Sequence, residues 1–154
     1  MSYCLEVVKQ GLARSRVTPL QAIEDYALAD GEAMIRVDRF GLTANNITYG
    51  VAGDMIGYWQ FFPAEANWGR IPVWGTGTVI DAGGTELSEG TVYYGYFPMG
   101  SYLVVKPEQV TARGFVDGAD HRAPLPQVYN QYQLATPDNG FAEGTLDHRM
   151  VCLL

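Results

Sequence analysis

The sequence predicts a mainly β protein, and three observations carry that prediction. Eighteen glycines stand among 154 residues while only 18% are charged. That balance suits a turn-rich β fold better than a helical bundle, which draws on Ala, Leu, Glu and Lys. Glu32 to Phe40 alternates, with Ala33, Ile35 and Val37 set against Met34, Arg36 and Asp38, as expected of a strand with one wet face. The runs Gly69 to Ile80 and Thr91 to Phe97 are rich in aromatic and β-branched residues, which favour a pleated, half-buried surface.

The elements follow in chain order. Leu5 to Lys9 reads as a short strand, and Arg14 to Pro19 as a second that proline ends. Ile23 to Leu28 fits a helical turn or a strand, and periodicity does not choose between them. Asp30-Gly31 marks a turn before the Glu32–Phe40 strand. Gly69 to Ile80 reads as a strand with two glycines inside it, and Asp81 to Gly84 as a turn. Thr91 to Phe97 is a strand, Pro98 to Ser101 breaks it, and Tyr102 to Val105 resumes it. Beyond residue 107 periodicity weakens. Pro124, Pro126 and Pro137 punctuate the chain, and Thr145 is placed to cap a short C-terminal helix.

Size and charge narrow the function classes. One domain of this length buries about two-thirds of its unfolded surface. A net charge of −7 disfavours nucleic acid and anionic membranes as partners. Cys4 and Cys152 stand near opposite ends of the sequence, too few for a four-cysteine zinc site. No secretory signal opens the sequence and no apolar run is long enough to span a membrane, so the expectation is a cytoplasmic protein with reduced thiols. Residues 41–105 differ from the rest. They hold 12 of the 19 aromatics and 12 of the 18 glycines, with Arg70 as the one basic residue. Such a stretch is either core or a recognition surface.

Motifs in this region resemble a known superfamily. Gly31 to Val37, Gly41-Leu42-Thr43, Asn45-Asn46 and Pro72 to Val79 resemble the start of a medium-chain dehydrogenase/reductase. Closer similarity, to an uncharacterised zinc-free, quinone-reductase-like subgroup, lies in Thr43 to Tyr49, Gly57 to Pro63, Gly95 to Met99, His121 to Pro126 and Val128 to Tyr132. The resemblance covers roughly residues 20–135. It implies a GroES-like, partly open β-barrel with short helices over residues 1–135. Residues 136–154 would be a tail or short helix where the superfamily's Rossmann domain begins. No Gly-x-Gly-x-x-Gly followed by a helix occurs, and Gly75-Thr76-Gly77 sits inside a strand pattern. The expectation is therefore a truncated or independent domain, self-associating as a dimer because a missing partner domain would leave apolar surface exposed.

The resemblance also implies where a ligand cleft would lie. Asn45, Asn46 and Tyr49 would face it, as amide and phenol hydrogen-bonding groups. Tyr58, Trp59 and Phe62, with Trp74, suit a flat apolar or aromatic ligand, and Asp54 would orient a bound group. The same aromatics also fit a packed core, and the Asn pair also fits a turn. Where zinc-dependent relatives have Cys or His, this chain has Asn45, Asn46 and Trp74, so no metal is expected. His121-Arg122 suggests a base or an anion contact, or a local ion pair with Asp117 or Asp120. The chain itself offers no nucleotide site. NADPH would enter only if another domain or chain supplied one, and a protein-interaction or regulatory module is the further alternative.

Overall fold

The computed structural model describes residues 1–137 and Phe141. The expected helix after Thr145, with His148 and Cys152, lies outside the described residues. Among the described residues ten strands dominate: β1 (Ser2–Val8), β2 (Ser15–Leu20), β3 (Ala33–Phe40), β4 (Trp68–Gly69), β5 (Pro72–Asp81), β6 (Val92–Pro98), β7 (Tyr102–Val105), β8 (Pro107–Thr111), β9 (Gly114–Asp117) and β10 (Gln131–Leu134). Two short helices, α1 (Ala44–Val51) and α2 (Gly53–Ile56), interrupt them, along with 3-10 turns at Ile23–Asp25, Tyr58–Gln60, Asp120–Arg122 and Gln127–Asn130. The mainly β expectation therefore holds.

Seven strands form one antiparallel sheet in the order β7-β3-β5-β6-β10-β9-β8. Its two edge strands, β7 and β8, are joined by Lys106 alone. A flat sheet of seven strands would hold its edges roughly 30 Å apart, far beyond the reach of one residue. The sheet must curl until its edges meet, which makes a partly open barrel. The second sheet, β2-β1-β4, is tied to the first where Leu5 N–H donates to the Met99 carbonyl at 2.8 Å and Ser101 N–H to the Tyr3 carbonyl at 2.8 Å.

Strand period explains the two faces of β5 and β6. Val73, Val79, Tyr93 and Phe97 point into the main core with Ile35, Val105, Phe115 and Tyr132. Trp74, Tyr94 and Tyr96 alternate with them onto the other face. The paired glycines Gly75 and Gly95 lie on the inward face, Gly75 close against the Arg39 carbonyl of β3. A Cβ on Gly95 would meet the Tyr132 ring.

Several sequence readings shift on contact with the structure. β1 begins at Ser2, earlier than read. Pro19 does not end β2 but pairs with Tyr3, which proline tolerates because β2 is an edge strand. The stretch read as one strand from Gly69 to Ile80 is split, with β4 in the small sheet and β5 in the large one. Ile23–Asp25 resolves as a 3-10 turn. β8, β9 and β10 arise in the region where periodicity had weakened.

Candidate functional site

The site is built on the outward face of β5 and β6 and on what covers it. Trp74 and Tyr96 are cross-strand partners, as are Thr76 and Tyr94. The Trp74 ring stacks on Tyr94 at 5.6 Å and meets Tyr96 at 5.0 Å. After α2, Gly57 turns the chain with φ at +80°, a conformation glycine adopts without Cβ strain. That turn brings Tyr58, Phe61 and Phe62 over the face. From the other side the Gln127–Asn130 turn lays Tyr129 on Tyr96 at 4.8 Å. Tyr49, from α1, contacts Tyr58 at 4.8 Å and Tyr96 at 6.0 Å. Offset and edge-on pairs of this kind contribute about 0.5–1.5 kcal/mol each beyond their burial.

Phenols punctuate this cluster. Tyr58 and Tyr129 share a hydrogen bond of 3.0 Å between hydroxyls. The Tyr96 hydroxyl is buried and has no hydrogen-bond partner among the described residues. Burial raises the Tyr58 phenol far above its ordinary value, and the bond to Tyr129 adds to it. Burial likewise raises Tyr96, reinforced by the phenols of Tyr49, Tyr58 and Tyr129. Tyr49 is raised by burial against an opposing hydrogen bond with Trp74. At neutral pH all three are therefore protonated, hydrogen-bonding groups rather than phenolates. Tyr58, Phe61, Phe62 and Tyr96 are buried, while Tyr49, Trp74 and Tyr129 keep partly exposed faces.

The structure gathers Tyr49, Tyr58, Phe62 and Trp74 into one cluster and sends the other expected residues elsewhere. Asn46 is buried within the fold. Its carbonyl accepts the Thr43 N–H at 2.7 Å and its amide donates to the Pro72 carbonyl at 2.9 Å, which fastens the start of α1 to β5. Asn45, one residue before it, is exposed. Trp59 belongs to the main core, wedged against Gly53 and Gly69, where a Cβ on either would run into its ring. Asp54 lines a separate concavity of about 600 Å³ with Lys9, Arg14, Asn67 and Trp68.

Sequence reasoning did not single out Tyr96 and Tyr129 for the site. Tyr96 could have been found from its alternation with Phe97 opposite Trp74. Tyr129 lies in the Val128 to Tyr132 motif, but nothing in that run directs it to the site. His121 turns its Nε2 to the Phe61 carbonyl at 3.2 Å. Arg122 makes a buried ion pair with Asp117 at 3.1 Å, the local-pair reading of that motif, and lies over the ring of Phe62 at 5.0 Å. Among the described residues no group of three or more His, Cys, Asp or Glu side chains could hold a metal ion, and none of their helices is long and apolar enough to cross a membrane.

Residues 40–153 match the family described as Protein of unknown function (DUF2855). A comparison with curated proteins finds no match. Among solved structures, glucose dehydrogenase from Haloferax mediterranei is similar at 17% identity, over 79% of this chain and 40% of that one, with a TM-score of 0.46. The same enzyme in complex with NADP, Zn and gluconolactone gives a TM-score of 0.47 at the same identity and coverage. The chain thus spans 40% of the length of those structures.

Proposed function

The chain belongs to the family described as Protein of unknown function (DUF2855), and from that premise we propose that it is a GroES-like domain of zinc-free oxidoreductase ancestry that binds a small, flat apolar or aromatic ligand. The ancestry is supported by the sequence motifs that resemble medium-chain dehydrogenase/reductases and by a curled β sheet carrying short helices between β3 and β4. Ligand binding is supported by one observation above the rest. Tyr49, Trp74 and Tyr129 keep partly exposed faces over a floor of buried, protonated phenols. A conjugated ring stacking there would meet π-faces, with phenol hydroxyls able to donate to a carbonyl at its edge. Binding here would draw on stacking and hydrogen bonding.

A second reading keeps oxidoreductase chemistry. The chain would then act with a nucleotide site from another domain or chain, NADPH would deliver hydride, and the Tyr49 phenol would donate the proton. Tyr49 holds that proton at neutral pH, although burial, by raising its phenol, makes it a weaker acid than a free tyrosine. Calorimetric titration of the folded chain with 1,4-naphthoquinone and, separately, NADPH distinguishes the two. The first reading expects saturable heat with the quinone alone, and an affinity about tenfold weaker in Trp74→Ala, the equivalent of one lost stacking contact. No heat with the quinone sinks it. Saturable NADPH binding to the purified chain would mean that a second copy completes the nucleotide site across a dimer, and would move the assignment to the second.

A further inference from the structure

α1 and α2 are amphipathic the wrong way round for a helix that only serves its own domain. The side turned inward carries Asn46, Gly50 and Gly53. Gly50 sits against Leu12 and Ile71, and Gly53 against Trp59, so the helices dock by small residues with Tyr49 as the one large side chain packed inward. The side turned outward carries Ile47, Val51 and Met55, of which Val51 is 76% and Met55 85% exposed. Leu42 and Ile56 flank them and are also exposed. The break between the helices is slight: Ala52 N–H donates to the Thr48 carbonyl at 2.9 Å and Ile56 N–H to the Ala52 carbonyl at 2.9 Å. Positions 47, 51 and 55 therefore stand one turn apart along one side. A surface helix normally buries such a stripe, and a contiguous exposed apolar patch marks an interaction site.

We propose that this stripe is where two copies of the chain associate, about a two-fold axis passing near Val51. Charge selects the occupant. The chain carries a net charge of −7, yet residues 41–63 contain a single charged side chain, Asp54. Asp54 lines a concavity that also carries Lys9 and Arg14. Two equally acidic molecules repel over most of their surfaces, and this neutral patch lets them meet without that penalty. Geometry selects the symmetry. Ile47, Val51 and Met55 are evenly spaced, so an antiparallel crossing sets Val51 against the partner's Val51 and Ile47 against the partner's Met55. That is an isologous contact in which one surface complements itself. The inference goes beyond the ligand reading and does not depend on it, since Trp74 and Tyr129 take no part.

Sedimentation equilibrium of the 154-residue chain tests it. The expected result is a monomer–dimer equilibrium whose dissociation constant rises at least a hundredfold in Val51→Asp. Val17→Asp, a control 64% exposed on β2, should leave the dimer unchanged. Val51 is so exposed that its substitution is expected to leave the circular dichroism unaltered. Should Val51→Asp nonetheless misfold, Val51→Cys in a Cys152→Ser background provides the second measurement. Mild oxidation should give a disulfide-linked dimer, and Val17→Cys should give none. A wild-type chain that stays monomeric up to millimolar concentration overturns the proposal. So does a dimer that persists in folded Val51→Asp, or one that fails to cross-link through Val51→Cys.

Discussion

Two buried charged residues, Glu6 in the small sheet and Arg122 beside the aromatic cluster, are held in opposite ways. Glu6 accepts five hydrogen bonds. Arg16 gives two to Oε2, at 2.9 and 2.7 Å, and Thr18 a third at 2.8 Å. Arg70 gives two to Oε1, at 3.0 and 2.9 Å. These partners lie on β2 and just past β4, so one carboxylate staples three segments of chain. Arg16 and Arg70 keep part of their length in water, and Arg16 also pairs with Glu65 and lies over Trp68. Arg122 has no such outlet. Its side chain and that of Asp117 are each only 1% exposed. Phe61, Phe62 and Tyr132 surround the guanidinium, and its Nη1 and Nη2 find no hydrogen-bond partner among the described residues. The contrast teaches that burial alone does not measure what a charge contributes. Glu6 exchanged water for a full set of donors, whereas Arg122 exchanged it for one carboxylate and aromatic faces.

The sharpest way to break that comparison is at Asp117. Its Oδ1 also accepts the N–H groups of Lys106 and Ala119, at 3.0 and 3.1 Å. Asp117→Ala therefore strands a buried cation and two backbone donors. A loss of about 3–5 kcal/mol is expected, read as a lower urea midpoint at unchanged slope. Arg122→Met in an Asp117→Asn background removes both charges while Asn keeps an acceptor for those N–H groups. That double variant should recover most of the loss, because well-packed apolar replacements of a buried pair are often neutral or better. Equal destabilisation of the single and double variants would show that the pair contributes by more than mutual neutralisation.

Glu6→Gln should cost less, about 2 kcal/mol, the scale of hydrogen bonds lost to a charged group, because its arginines can turn to solvent. The pH dependence carries the finer test. Burial opposes the charge on Glu6, but the hydrogen bonds from Thr18, Arg16 and Arg70 outweigh it and hold the carboxyl below its ordinary value near 4.5. A carboxyl lowered on folding contributes stability that is fully present above pH 4.5 and is lost as pH falls through the lower, folded-state value. Stability of the wild type should therefore decline more steeply below pH 4.5 than that of Glu6→Gln, by denaturant melts at stepped pH. Parallel curves would mean the network is not linked to folding.

The pairing of Arg122 with Asp117 was legible as a local ion pair, but the Glu6 network could not be read from the sequence, for the same reason that much of the site could not. β3 and β7 were legible because their alternation or composition runs over the whole strand. β10 alternates too, with Tyr132 buried between exposed Gln131 and Gln133, but four residues are too few to register a period. Tyr58, Phe62 and Trp74 were legible as members of an aromatic-rich stretch. Trp59, in the same run, faces glycines on two other elements, one of them in the small sheet, and nothing local distinguishes it from its neighbours. Glu6 finds donors 10, 12 and 64 positions away. Tyr129 meets Tyr58 across 71. Periodicity reports which face a residue occupies, but which distant residue stands opposite is decided by the curl of the sheet.

The smallest expected effect belongs to that last pair. Tyr58→Phe removes one hydroxyl from the bond to Tyr129 while keeping the ring contacts with Tyr49 and Phe61. The Tyr129 hydroxyl is left with the partly exposed edge of its own ring, so a stability loss of about 0.5–1.5 kcal/mol is expected. The alkaline limb separates a hydrogen-bond role from a packing role. A phenol raised on folding leaves stability intact below its ordinary value near 10 and erodes it as pH climbs further, because only the unfolded chain then ionises freely. Burial first, and the Tyr129 bond second, raise Tyr58, so Tyr58→Phe should lose stability less steeply above pH 10 than the wild type. Phenolate absorbance followed through the same titration gives the check. If the wild-type cluster ionises freely near pH 10 while the chain remains folded, the phenols are open to water and the closed floor assigned to the ligand platform is wrong.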